Sequence, residues 1–147
     1  MRSSWPPIER TFSRAVLRVL GGASARFAGY LGLCAAYIQG GVAKLSDFGG
    51  AVGEMKHFGI APASIGAVLV IILELSAPTL ILSGRLRWLG ALALAVFTML
   101  ATGIALRFWQ LPPGAARFAA TNAFFEHLGL VGGFLLVAWL DLQERMQ

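Results

Sequence analysis

Four apolar stretches of roughly 20 residues each, at about 26–45, 63–83, 86–106 and 123–140, leave this 147-residue chain almost nothing from which to build a soluble domain. Each is long enough to cross a hydrocarbon core of about 30 Å as a helix. Inside a bilayer no water satisfies the backbone, so such runs must be helical. The expectation is an all-α polytopic membrane protein, a four-transmembrane-helix bundle in contact with lipid on its outer surface.

Composition removes several alternatives. Hydrophobic residues make up 57% of the chain and charged residues 13%, a balance unlike that of soluble globular domains. The net charge of +5 does not point to nucleic acid, because the basic residues cluster beside the apolar segments, where they orient the protein and meet headgroups. The single cysteine, Cys34, lies within the first segment and reads as a small buried apolar residue. With no second thiol, the chain cannot form an internal disulfide.

The basic residues set an orientation. Arg2, Arg10, Arg14, Arg18, Arg26, Arg85, Arg87 and Arg145 fall on one side of the four-span arrangement, against Lys44, Lys56, Arg107 and Arg117 on the other. Eight against four places both termini and the second connection in the cytoplasm. Within residues 1–25, Ile8, Phe12, Val16 and Val19 share one helical face while Arg10, Arg14 and Arg18 recur every four residues on another. That pattern predicts a retained amphipathic helix in the membrane interface rather than a cleaved signal. Residues 26–141 form the bundle, and 142–147 a short cytoplasmic tail.

Helix boundaries are marked by Pro62 before the second span, by the very short Ser83-Gly84-Arg85 turn, and by Pro112-Pro113-Gly114 after the third span. Asn122 reads as the N-cap of the fourth. The first connection, with His57, reads as a hydrophilic loop. Small residues mark packing faces: Gly32, Ala36 and Gly40 in the first span, Ala91, Ala95, Thr98 and Thr102 in the third, and Gly129 and Gly133 in the fourth. Tyr37 and Lys44 lie on a stripe adjoining the first of these.

Glu74 stands out. A charged carboxylate near the middle of a membrane helix costs a few kcal/mol, so it must face the interior and be protonated, ion-paired or hydrated. Pro78, one turn on, removes the N–H that would bond the Glu74 carbonyl. Lys44 is the partner by sign. Measured from Pro62, however, Glu74 is roughly 18 Å down its helix, so contact needs the reach of both side chains or a water. Asp47 is a competing partner for Lys44. Glu126 and His127 add a titratable pair that could exchange protons with a quinol or dress an interface. No His/Cys cluster offers a metal site, and no nucleophile motif or phosphate-binding loop appears.

Several segments together carry a resemblance. Gly40-Gly41-Val42-Ala43-Lys44-Leu45-Ser46-Asp47-Phe48 closes the first span, and Phe58-Gly59-Ile60-Ala61-Pro62 precedes the second. Glu74 is followed by Gly84-Arg85-Leu86-Arg87, and the last span holds Phe124-Phe125-Glu126-His127 and Gly132-Gly133. In this order they resemble the DoxX-like family of membrane proteins over about residues 26–140. Glu126-His127 stands where many relatives carry Lys-Asn.

The resemblance implies a four-helix bundle. It also implies an association with membrane oxidoreductases, in some cases as a small subunit beside a quinone, while more distant relatives serve assembly. The expected function is therefore an accessory subunit of an oxidoreductase or electron-transfer complex in the bacterial inner membrane. It would line a quinone or proton site with Lys44, Glu74, Tyr37, Glu126 and His127, without a covalently bound cofactor and without catalysing a reaction alone. The alternative is a non-catalytic scaffold or assembly subunit. Either role implies other membrane subunits, or further copies of the chain, as partners.

Overall fold

The computed structural model describes residues 7–147. Arg2 lies outside the described residues, as do the side chains of Ile8 and Arg10. The described residues form six α-helices: α1 (Pro7–Leu20), α2 (Ala23–Ser46), α3 (Phe48–His57), α4 (Ala63–Ser83), α5 (Arg87–Ala105) and α6 (Ala115–Met146), with a 3₁₀ turn at Phe108–Gln110 before α6. Among the described residues there is no strand.

Three helices, α4, α5 and α6, are each long and apolar enough to cross a membrane. α2, at 24 residues, is long enough for a fourth span but reaches the same apolar character only together with α1, from which it is bent by 65°. The reason lies in the composition of α2. Its glycines, tyrosines, Gln39 and Lys44 dilute its apolar character, and Tyr37, Gly40 and Lys44 among them face the interior. The protein is a polytopic membrane bundle whose first span carries much of its polarity.

The helices pack in the spatial order α2, α4, α5, α6, and α2 meets α6 only briefly. Cys34, Tyr37, Ala77, Ile81, Leu94, Phe134 and Ala138 fill the centre. Alanines and glycines allow close approach: a Cβ on Gly90 would stand 2.6 Å from the Ala77 carbonyl oxygen. The ridge Ala91, Ala95, Thr98, Thr102 is buried throughout. Large apolar side chains such as Leu69, Ile72, Val96, Leu100, Leu136 and Trp139 point outward, as a lipid-facing surface requires.

Some expected packing positions behave differently. Gly133 abuts Leu33 of α2, with 3.1 Å available to a Cβ. Gly32 and Gly129, by contrast, have no heavy atom near their Cβ positions and are exposed. Four-residue spacing alone does not say which side of a helix meets a neighbour. Asn122 is not an N-cap, because α6 begins at Ala115, right after the Pro-Pro-Gly break, and carries Asn122 on its exposed surface.

The first connection is not a loop. Asp47 ends α2 and caps α3, its Oδ1 accepting the Gly50 N–H at 2.9 Å. This occupies Asp47 and leaves His57 as the last residue of α3, exposed. α3 packs against α4 through Ala51, Met55 and Ala67. At the opposite end of the bundle, Gly84 at φ +75° closes α4 and Leu86 at φ +52° turns the chain into α5. The buried Asp141 of α6 fastens that turn. It accepts from the Trp88 N–H at 3.2 Å, from Arg145 Nε at 2.8 Å and from Arg87 Nη1 at 3.5 Å. Arg87 also lies over the Tyr30 ring, 4.5 Å from its centroid. Arg26 meets Glu144 at 3.0 Å on the surface, so the start of α2 and the end of α6 share one arginine-rich end.

Candidate functional site

Lys44 and Glu74 form an ion pair in which Nζ lies 3.1 Å from both carboxylate oxygens. The depth difference expected from sequence vanishes because α3 carries the chain beyond the end of α2 before α4 begins. The first turns of α4 therefore pack on α3, and Glu74 arrives level with Gly40 and Gly41. Gly40 makes room: a Cβ there would lie 3.4–3.5 Å from both Glu74 oxygens and from Lys44 Nζ. The pair is largely removed from solvent, with side-chain exposures of 18% for Lys44 and 8% for Glu74. It satisfies the demand of a carboxylate in the middle of a membrane helix.

The pair stands in the wall of a cavity of about 450 Å³, also lined by Tyr37, Thr98 and His127. The remaining lining is mostly aliphatic and aromatic. Tyr37 is held edge-on by Phe134, with centroids 5.5 Å apart, and hydrogen-bonds Thr98. The Thr98 hydroxyl donates to the Leu94 carbonyl at 2.6 Å, so the Tyr37 hydroxyl is the donor toward Thr98. Tyr37 thus has its O–H engaged and keeps its oxygen lone pairs as the acceptors it can offer in the cavity wall. The same logic applies one turn on. Thr102 donates to the Thr98 carbonyl at 2.6 Å and lies 2.8 Å from His127 Nδ1, so it accepts from a protonated Nδ1.

Glu126 does not line this cavity. Adjacent residues on a helix point about 100° apart, so His127 reaches the cavity while Glu126 is exposed elsewhere. Ala36 lines the cavity. Sequence reasoning overlooked Glu54 and Met55, which α3 brings to the rim, and the role of Thr98 and Thr102 as hydrogen-bonding groups. The signal for the threonines was present in their four-residue spacing. The signal for Glu54 required recognising α3 as a helix.

The cavity has an open flank. α3 packs on α2 and α4 and makes no close backbone approach to α5 or α6. Leu100 and Ile104 of α5 line the cavity and are also exposed on the outer, apolar surface, at 61% and 38%. A molecule could therefore pass between the cavity and lipid beside α5. Among the described residues no group of three or more His, Cys, Asp or Glu comes together as a metal site.

No curated protein and no solved structure matches the chain. The DoxX family model matches residues 26–107, which run from the start of α2 to just beyond α5 and include both members of the Lys44–Glu74 pair. That match spans more than half of the sequence, and it agrees with an all-helical membrane bundle whose polar pair joins its first two long helices: the chain belongs to the DoxX family of membrane proteins.

Proposed function

We propose that this protein is a small accessory subunit of a membrane oxidoreductase or electron-transfer complex, and that its cavity receives the head group of a quinone. One observation carries the reading: an apolar cavity that opens toward lipid beside Leu100 and Ile104 and holds a few convergent polar groups at its inner wall. A lipid-soluble ring with polar oxygens suits that combination. The third Lys44 N–H remains after two go to Glu74 and suits a carbonyl oxygen, whereas His127, whose Nδ1–H goes to Thr102, offers Nε2 as an acceptor. The Tyr37 lone pairs suit the hydroxyl of the reduced form. The two electrons of quinone reduction come from a partner subunit, and of the two protons that accompany them Glu74 exchanges one while solvent exchanges the other.

Family membership supports a setting beside membrane redox enzymes. The arginine-rich end formed by Arg26, Arg85, Arg87 and Arg145 supports cytoplasmic termini in a bacterial inner membrane, with the cavity toward the outer leaflet.

The test is purification from native membranes in mild detergent, followed by identification of co-purifying subunits and extraction of bound quinone. An oxidoreductase partner together with quinone retained by the parent chain is the expected result. A homogeneous protein with neither sinks the proposal. Glu74→Gln then separates the two functional readings: an intact complex with lost turnover supports the quinone or proton role, whereas normal turnover favours a scaffold.

A further inference from the structure

We propose that α1 is a docking helix for anionic phospholipid headgroups, held on the membrane surface at the arginine-rich end of the bundle; this inference is independent of the quinone reading. The first observation is geometry. α1 leaves α2 at Gly21-Gly22 with a bend of 65°, so with α2 near the bilayer normal α1 runs close to the membrane plane. The second is its unpartnered apolar face. Phe12, Val16, Val19 and Leu20 lie within one arc of the helix and are exposed at 71%, 37%, 72% and 62%. In an aqueous setting such a face would be left uncovered, and α1 makes few contacts with α2 to cover it.

Charge names the occupant. Arg14 and Arg18, four residues apart, lie on the opposite face and are exposed. Glu9 is the acidic residue of the first turn. Arg26, Arg85, Arg87 and Arg145 stand at the same end of the bundle, against Asp141 and Glu144. A helix that buries one apolar face among acyl chains and carries arginines on the other gains from phosphate-bearing, negatively charged headgroups. The arginines also exclude α1 from the hydrocarbon core, where each would be costly.

The test uses the full chain reconstituted in vesicles, with Cys34→Ala as background and a nitroxide on Val16→Cys. Collision with dissolved oxygen against a water-soluble nickel chelate reports the depth of the label. In vesicles of equal parts phosphatidylcholine and phosphatidylglycerol, position 16 should lie below the headgroups. With Arg14→Gln and Arg18→Gln together, the docked-to-undocked ratio should fall roughly thirtyfold, at about fivefold per arginine. High salt should weaken the parent in the same direction. Equal depth in phosphatidylcholine alone would overturn headgroup recognition. A label accessible to nickel in both vesicles would overturn surface docking, and a label shielded from both reagents would assign the face to protein.

Discussion

Gly40 of α2 faces Glu74 of α4 so closely that a Cβ on the glycine would lie 3.4 Å from the nearer carboxylate oxygen, while a Cβ on the next residue, Gly41, would meet Leu75 and, at 3.2 Å, the Cβ of Glu74. The two glycines therefore do different things. At Gly40 the added methyl is in ordinary contact distance. At Gly41 it would stand 2.8 Å from Leu75 Cδ2 and 2.9 Å from Cγ, inside contact. Gly41→Ala should lower stability by about 1–3 kcal/mol through overpacking, and Gly40→Ala by less than about 1 kcal/mol. Thermal unfolding of the two variants in the same detergent checks the order.

The Lys44–Glu74 pair should behave as a unit. Lys44→Met strands a carboxylate, and Glu74→Gln strands an ammonium, each at a cost of about 3–5 kcal/mol. The double variant leaves neither charge behind and should recover most of the loss. A double-mutant cycle on unfolding in lipid or detergent reads the coupling, and strictly additive losses would contradict the observed contact.

At the other end, Asp141 should matter far more than its surface neighbours. Asp141→Asn leaves Arg87 and Arg145 without their shared carboxylate and weakens the hold on the Trp88 N–H; we expect a loss of about 2–4 kcal/mol. Glu144→Gln, which breaks the exposed contact with Arg26, should cost less than about 1 kcal/mol. Comparison of the two melting curves decides.

Tyr37 and Thr98 are unequal partners in one hydrogen bond. Tyr37→Phe removes the donor but leaves the Thr98 hydroxyl engaged with Leu94, and it should cost about 1 kcal/mol. Thr98→Val removes the acceptor and leaves a buried phenol unpaired, at about 1–3 kcal/mol. The reverse order of stabilities would mean that the donor assignment is wrong.

Much of this architecture is legible in the chain because a bilayer imposes a simple rule on long apolar runs. The second span, 63–83, coincides with α4, since Pro62 and Gly84 mark both ends chemically. α6 was underestimated because its first turns, Ala115–Asn122, are helical beyond the apolar run that identified it. α3 is short and glycine-containing, so no long apolar run marks it, yet it sets the register that brings Glu74 to Lys44. Glu74 could be read as needing a partner from cost alone. Asp141 could not, because an acidic residue four before Arg145 near a chain end is indistinguishable in sequence from an ordinary surface pair.

The two threonines of α5 have a consequence for charge movement. Grotthuss conduction requires each hydroxyl to pass its hydrogen onward and accept another from behind. Thr98 and Thr102 give theirs to carbonyls of their own helix, at Leu94 and Thr98. In the hydrogen bonds described, the line from Tyr37 past Thr98 and Thr102 to His127 is therefore interrupted at each hydroxyl. If Glu74 exchanges a proton with a bound quinol, as proposed, the lumen of the cavity offers that proton a route that does not depend on these hydroxyls.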